Sequence, residues 1–265
     1  MEKRCDDPQI TREAELTGKR WDFCAEGYSD IIQQEFSEVG DAWVRVLSDN
    51  APDTGKKALD IGTGPGFFAM VLAMQGFDAT GIDCSERMLE TARKNADARG
   101  LNVDFQFMDS HALTFGDNTF DYIVARNATW LLYDPEKAFS EWLRVLRPGG
   151  RLMYIDANWP YVDDLELTRR MKEANDRFEK ARGKAFNTYT GTQATNDAFN
   201  RLVVFDHILR PEWDVKTLPK LGYCRIKVDP RINERVYPPW KRELYDAMDT
   251  FLITAEKPTP GEGIR

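Results

Sequence analysis

The chain has 265 residues, 42% of them hydrophobic and 30% charged, which is typical of one large globular domain or of one domain with an insertion. The formal net charge of -8 argues against a nucleic-acid partner, because binding to a phosphate backbone requires a basic face. Because the N-terminus is polar, no signal peptide is predicted, and because the sequence has no long apolar run, no membrane span is predicted. The four scattered cysteines favour reduced thiols in a cytoplasmic protein.

Residues 1–50 are predicted to form an N-terminal helical segment. Apolar residues recur at three- and four-residue spacing within 21–32, which is typical of a helix with one buried face. The Asn50-Ala51-Pro52 sequence then interrupts the pattern and predicts the end of the helix.

Residues 51–158 alternate between short apolar runs and helical patterns. The runs predict five strands, at 58–61, 79–82, 103–108, 120–125 and 151–157. Helices are predicted between them, and the one that follows Asp134 carries the start signal of an N-cap followed by proline. Strands that alternate with helices indicate parallel pairing through right-handed crossovers, and nearly all-apolar strands indicate a sheet covered on both faces.

The pattern changes after residue 158. Residues 159–215 are predicted to be a helical insertion above the strand ends, and 216–257 to be strands that complete the sheet, near 224–228 and 250–255, after a short helix at 212–221. The last residues, 258–265, are predicted to be a loose tail.

A glycine-rich turn follows the first strand in ALDIGTGPGF, with Gly62, Gly64 and Gly66 at alternate positions. Glycines allow a ligand to approach the backbone, and the following helix offers free N–H groups. Dinucleotide enzymes use G-x-G-x-x-G/A, but here Phe67 stands at the third position and fits a pyrophosphate turn poorly. The turn therefore favours an adenosine derivative without a diphosphate.

Two carboxylates follow the next two strands. Asp83 stands where an acidic residue accepts both hydroxyls of a ribose, and Asp109 stands where it can take the adenine amino group. Cys84 and Met88 are placed to meet the stacked ring.

With these motifs in order, the sequence resembles the class I S-adenosylmethionine-dependent methyltransferases of small-molecule type. The resemblance covers roughly residues 20–157 and rests on the following stretches: ALDIGTGPGF, GIDCSERML, FMDSHALTF, FDYIVARNATWLL and EWLRVLRPGGRLMY. It implies a doubly wound α/β fold with a seven-stranded, mostly parallel sheet, helices on both faces and a reversed last strand. It also implies S-adenosylmethionine as cofactor and S-adenosylhomocysteine as product.

The resemblance places the cofactor across the carboxyl ends of the first four strands. It implies the following cofactor-binding residues: Tyr28, Asp60, Gly62, Thr63, Gly64, Asp83, Cys84, Met88, Asp109, Ser110, Arg126 and Asn127. Tyr28 is expected to close over the methionine carboxylate, and Arg126 and Asn127 to lie near the sulfonium and the acceptor. Asp60 has two open interpretations, contact with the ligand or support of the turn.

The acceptor side offers fewer signals. Trp130, Trp159 and Tyr161 follow the fourth and fifth strands, where they form an acceptor pocket or pack under the insertion. His207 is a further substrate-side candidate, and His207 and Tyr161 are the candidates for a catalytic role, whereas His111 is expected at the surface. Methyl transfer from a sulfonium requires alignment more than acid–base groups, so no catalytic triad is expected, and no metal.

Two other functions remain open at this point. The first is an NAD(P)-dependent oxidoreductase on a similar sheet, which Phe67 disfavours; the second is a non-catalytic subunit that binds S-adenosylmethionine, which the intact turn disfavours. We expect a small-molecule methyl acceptor, and the N-terminal helix and the insertion are expected to build its lid and pocket. Oxygen, nitrogen, carbon and sulfur acceptors all occur on this scaffold.

Overall fold

The computed structural model describes residues 10–159, 165–182 and 193–261. Seven strands form one sheet: β1 (Lys57–Ile61), β2 (Asp78–Asp83), β3 (Asp104–Phe107), β4 (Phe120–Arg126), β5 (Leu146–Asp156), β6 (Cys224–Asp229) and β7 (Phe251–Glu256). Their order is β3-β2-β1-β4-β5-β7-β6, with β1 to β5 parallel and β7 antiparallel to both of its neighbours. The predicted fold class, including the reversed last strand, is confirmed.

Helices connect the strands and cover both faces of the sheet. They are α1 (Arg12–Asp22), α2 (Ala25–Asp49), α3 (Phe67–Met74), α4 (Glu86–Asp97), α5 (Pro135–Val145), α6 (Leu165–Arg182), α7 (Gln193–Asn200), α8 (Glu212–Leu221), α9 (Ile232–Val236) and α10 (Pro239–Asp246). One core cluster includes Trp43, Phe68 and Tyr122, and the cluster on the other face includes Phe139 and Trp142, all fully buried. The strands are therefore apolar on both sides, as the sequence pattern indicates.

The register of the central strands decides where functional groups meet. Ile61, at the end of β1, pairs with Ile82 of β2 and with Ala125 of β4. The glycine turn, Asp83 and the end of β4 therefore leave the sheet at the same edge. The strand order reverses between β1 and β4, and in open α/β sheets such a switch point is where ligands bind.

The N-terminal segment is two helices where the sequence pattern predicts one. The chain turns at Phe23 and Cys24, between α1 and α2, and Thr11 caps α1 by accepting a hydrogen bond from the Ala14 amide, with 3.1 Å between Oγ1 and N. Helix α1 lies directly on the end of β2, because a Cβ on Gly18 would stand 1.9 Å from the carbonyl oxygen of Cys84. Glycine is thus the residue that permits this close approach.

Other boundaries differ from the sequence prediction. Strand β5 begins at Leu146, so the Arg147-Pro148-Gly149-Gly150 stretch belongs to the strand. Helices α9 and α10, between β6 and β7, have no counterpart among the predicted elements. The insertion after β5 carries α6, which packs on α10, and α7, which packs on α1. The domain boundaries at residues 50, 158, 215 and 257 remain a prediction.

Candidate functional site

A first cavity lies at the carboxyl ends of β1, β2 and β4, with a volume of about 790 Å³ including the solvent at its mouth. Its wall contains most of the residues that the sequence assigns to the cofactor: Tyr28, Gly62, Gly64, Asp83, Cys84, Met88, Asp109, Ser110, Arg126 and Asn127. Helix α1 contributes Ala14, Thr17 and Trp21 from above. The sheet edge and the N-terminal helix together enclose the space.

The glycine turn has a backbone conformation that other residues rarely adopt. Gly62 and Gly64 have φ angles of +65° and +52°, and a Cβ on Gly62 would stand 2.6 Å from the Cβ of Ala128. Both glycines are on the cavity wall, so a ligand there contacts bare backbone.

Asp60 and Thr63 lie beneath this turn and not on the cavity wall. Asp60 Oδ2 accepts hydrogen bonds from Thr63 Oγ1 at 2.7 Å and from the Ala69 amide at 2.9 Å. Both residues are buried, and burial raises the pKa of Asp60 to about 7. The prediction that these side chains bind cofactor is therefore corrected: they fasten the turn to α3, which is the supporting interpretation of Asp60.

Asp83 faces the first cavity while the turn holds it in place. Its Oδ2 accepts from the Gly64 amide and its Oδ1 from the Ser85 amide, each at 2.9 Å. Burial raises the pKa of Asp83 to about 6, against the effect of these two hydrogen bonds. A carboxylate has about four lone-pair sites, so about two remain for a ligand.

The carboxylate of Asp109 is fully engaged by the protein. Its Oδ2 accepts from Thr11 Oγ1 at 2.8 Å and from the Tyr133 hydroxyl at 2.7 Å, and its Oδ1 accepts from the amide and Nδ1 of His111, each at 2.9 Å. Burial raises the pKa of Asp109, but the hydrogen bonds from His111 and Tyr133 outweigh it and hold that pKa well below its usual range. An adenine amino group could bond this carboxylate only by replacing one of these donors.

His111 is buried, so its expected place at the surface is wrong. Its ring stacks on Tyr133 with 3.6 Å between centroids, and the two side chains close one end of the cavity around Asp109.

A second cavity adjoins the first and has a volume of about 1180 Å³ including the solvent at its mouth. Four residues line both cavities: Trp21, Tyr28, Arg126 and Asn127. The second cavity is otherwise bounded mainly by apolar and aromatic side chains, among them Trp130, Trp159, Tyr245, Ile31, Met171 and Met248. Trp130 and Trp159, two of the predicted acceptor-side residues, are thus both on the wall of this cavity.

Residues 59–154 match the family model described as "Methyltransferase domain". This span contains the glycine turn, Asp83, Asp109 and Arg126, and its strands belong to the seven-stranded sheet. This part of the chain is therefore similar to a methyltransferase domain.

Curated relatives of this chain are similar to it over less than half of its length. It is 41% identical over 131 residues to demethylmenaquinone methyltransferase of Thermus thermophilus, covering 48% of this chain and 60% of that protein. It is 32% identical over 104 residues to ubiquinone biosynthesis O-methyltransferase of Coxiella burnetii, covering 39% and 44%. It is 40% identical over 123 residues to ubiquinone/menaquinone biosynthesis C-methyltransferase UbiE of Roseobacter denitrificans, covering 43% and 48%. The matches thus span about half of each relative.

Solved structures share the fold of this chain at low identity. Phosphoethanolamine N-methyltransferase 2 of Haemonchus contortus, in complex with S-adenosyl-L-methionine, has a TM-score of 0.62 at 18% identity, covering 94% of this chain and 61% of that one. The cyclase SpnF has a TM-score of 0.56 at 21% identity, covering 83% and 81%. A neighbour named for cyclisation shows that the fold alone does not choose the reaction.

Only one of the two catalytic candidates, His207, lies among the described residues, and the structure does not support it. The side chain of His207 is 62% exposed, stands 3.6 Å from Asp206, and lines neither cavity, because the loop before α8 directs it to solvent. Its assignment as a substrate-side residue is therefore wrong. Tyr161 lies outside the described residues.

A charged cluster on the wall of the second cavity was missed by the sequence interpretation. Glu35 of α2 is fully buried and accepts from Arg126 Nη2 at 2.6 Å and from Lys241 Nζ at 2.5 Å. Arg126 also donates to the Tyr237 hydroxyl at 2.9 Å, and its guanidinium lies 4.8 Å from the ring centroid of Trp43. One signal was available: Glu35 interrupts the buried face of α2 between Ile32 and Val39.

The described part of the chain shows neither a membrane span nor a metal centre. Within the residues that the structure describes, no helix is long and apolar enough to cross a membrane. The same residues contain no group of three or more histidine, cysteine or acidic side chains that could hold a metal ion. Within the described residues, Cys24, Cys84 and Cys224 form no disulfide bond, and burial raises the pKa of Cys84 well above its usual value.

Proposed function

We propose that this chain transfers a methyl group from S-adenosylmethionine to a small-molecule acceptor, leaving S-adenosylhomocysteine. The observation that carries the proposal is the pair of adjoining cavities, because a donor in the first and an acceptor in the second would meet at the residues they share. Methyl transfer needs such a juxtaposition, with the two reacting atoms about 3 Å apart and in line.

The residues of the first cavity fit this cofactor. Two lone-pair sites remain on Asp83, which matches the two hydroxyls of a ribose. Ile82, Met88 and Met108 provide an apolar wall for a purine ring. The bare backbone of Gly62 and Gly64 would then flank the methionine portion, which leads towards the shared wall.

The shared wall would align the reacting groups. S-adenosylmethionine supplies a methyl group that its sulfonium already activates. Burial raises the pKa of Tyr28, so its phenol remains protonated at neutral pH and can donate a hydrogen bond to a ligand. Asn127 has a φ of 52°, a left-handed conformation that asparagine tolerates better than most residues and that is enriched at functional sites. These groups orient substrates and exclude water.

The second cavity supports a flat, largely apolar acceptor. Trp21 and Trp130 meet edge to face at 6.4 Å between centroids, and Trp159 and Tyr245 at 6.0 Å, so two ring pairs form parts of the wall. Such surfaces favour aromatic ligands through stacked and edge contacts. The names of the curated relatives refer to demethylmenaquinone, ubiquinone and menaquinone. We therefore infer an aromatic acceptor. From the composition and the net charge of -8 we also infer a cytoplasmic protein without a nucleic-acid partner.

The pKa of Asp83 predicts how cofactor binding depends on pH. Ribose hydroxyls donate to the ionised carboxylate, so binding favours that form and weakens as the pH falls through about 6. The dissociation constant for S-adenosylhomocysteine should be about tenfold larger at pH 5 than at pH 8. Calorimetric titrations at both pH values measure this ratio, and Asp83→Asn should abolish most of it. A ratio near one in the wild type would contradict the role of Asp83.

The proposed reaction is tested by incubating the protein with methyl-labelled S-adenosylmethionine and a metabolite extract, followed by mass spectrometry. We expect label in an aromatic small molecule. Thermal unfolding with S-adenosylhomocysteine or NADH provides the matching binding test, because only a true ligand of the folded state raises the melting temperature. Stabilisation by NADH alone would indicate the oxidoreductase alternative, and stabilisation by S-adenosylhomocysteine without any labelled product would indicate a non-catalytic subunit.

A further inference from the structure

A buried carboxylate, Asp156, ends β5 beneath the wall of the second cavity. It is fully buried, and its two oxygens accept four hydrogen bonds. Oδ2 accepts from Thr129 Oγ1 at 2.6 Å and from the Trp130 amide at 2.9 Å. Oδ1 accepts from the Ala157 amide at 2.9 Å and from the indole nitrogen of Trp159 at 3.1 Å. These donors fill the capacity of a carboxylate.

Two of the four donors belong to the tryptophans on the wall of the second cavity. Trp130 follows β4 and Trp159 follows β5, so one side chain fixes the ends of two neighbouring strands. The indole of Trp130 is held at its other end by the Asn127 carbonyl, at 3.1 Å. Trp159 is anchored directly through its ring nitrogen. Both rings are therefore set in orientation as well as in position.

Arg210 balances this carboxylate from the far side. It is buried, donates to Thr129 Oγ1 at 2.8 Å, and its Nη1 lies 3.7 Å from Asp156 Oδ2. It also binds Asp214 of α8, with 2.9 Å between Nε and Oδ2. Asp214 is as deeply buried as Asp156, but it also accepts from the hydroxyl of Tyr154, a residue that lines neither cavity.

We propose that Asp156 is a positioning residue that holds Trp130 and Trp159 as two walls of the acceptor cavity and so determines which flat acceptors fit. The nature of the ligand rests on the proposed function. The hydrogen bonds that join Asp156 to the two tryptophans are present in the chain without any ligand. A side chain with four bonds cannot move without releasing both walls, whereas Asp214 bonds to Arg210 and Tyr154 and to neither tryptophan.

The test is fluorine NMR of protein in which the seven tryptophans carry a 5-fluoro label. Trp130→Phe and Trp159→Phe assign the two resonances. Asp156→Asn should shift or broaden both, because the amide cannot accept all four bonds. It should leave Trp142 unchanged, because Trp142 lies in the other core cluster, whereas Trp159 packs against the first. The matched control Asp214→Asn should move Trp213, its neighbour in sequence, and leave Trp130 and Trp159 in place. Affinity for S-adenosylhomocysteine should stay at the wild-type value in both variants.

Two results would overturn the proposal: wild-type positions for both resonances in Asp156→Asn, or an equal displacement in Asp214→Asn. If Asp156→Asn does not fold, hydrogen exchange in the wild-type protein provides the test. The indole N–H of Trp159 should exchange slowly with solvent, because it donates to Asp156, and fast exchange would contradict that hydrogen bond. Failure of the wild type to bind S-adenosylhomocysteine would count against the proposed function alone, because the tryptophan spectra require no ligand.

Discussion

Replacing Asp83 with alanine should weaken the binding of S-adenosylhomocysteine by about 2–3 kcal/mol, or about 30- to 150-fold, as expected for the loss of hydrogen bonds to a charged acceptor. The carboxylate is held by the Gly64 and Ser85 amides, so it faces the first cavity without having to reorganise. Calorimetric titration of wild type and variant measures the difference directly.

The control for this experiment is Asp78→Ala. Asp78 begins the same strand, β2, but is exposed at the end that lies away from the cavity. Its replacement should leave the affinity unchanged. Asp83→Asn separates charge from shape, because it keeps the size of the side chain and loses the ionised acceptor. Wild-type affinity in Asp83→Ala would remove the ribose contact, and with it the main support for the proposed cofactor site.

Replacing Glu35 with alanine should reduce the free energy of unfolding by about 3–5 kcal/mol, the usual cost of removing one partner of a buried ion pair. The carboxylate is the shared partner of Arg126 and Lys241, whose side chains are only 8% and 6% exposed. Without it, two buried cations remain next to each other with no anion between them. Urea denaturation followed by circular dichroism gives the change from the shift in midpoint.

Glu38→Ala is the matched control for Glu35. Glu38 lies on the same helix, three residues further on, but its side chain is exposed and accepts a hydrogen bond from Gln34 of that helix. We expect its replacement to change stability by less than about 0.5 kcal/mol. Glu35→Gln retains the volume and hydrogen-bonding capacity of the side chain but not the charge. A loss below about 1 kcal/mol in Glu35→Ala would mean that water reaches the two cations and that the cluster is not a desolvated ion pair.

The sheet and the cofactor turn were predictable because their signals are local. Gly62 and Gly64 need positive φ angles, Asp83 is the last residue of its strand, and short, mostly apolar stretches mark β1 and β4. Alternation of such runs with helices implies the parallel arrangement without any knowledge of long-range contacts. Helix α10 was missed although Pro239 stands at its first position, a start signal, because polar residues dominate the segment.

The acceptor side was less predictable because its contacts are long-range. Glu35 meets a partner 91 residues away and another 206 residues away, and neither pairing leaves a pattern in the sequence. Thr11 and Tyr133 meet at Asp109 across 122 residues for the same reason. His207 was a plausible base by residue type, but its exposure is set by the tertiary path of the loop, which local sequence does not reveal.

The four residues common to both cavities have a consequence for the order of events. A ligand in one cavity cannot rearrange the shared residues without altering the affinity of the other cavity for its own ligand. These residues are Trp21, Tyr28, Arg126 and Asn127. Thermodynamic reciprocity then requires each occupant to change the other's dissociation constant by the same factor. Titrating one ligand in the absence and in the presence of a saturating concentration of the other gives two dissociation constants. Their ratio measures the cooperativity, and it is a property of the four shared residues and of neither ligand alone.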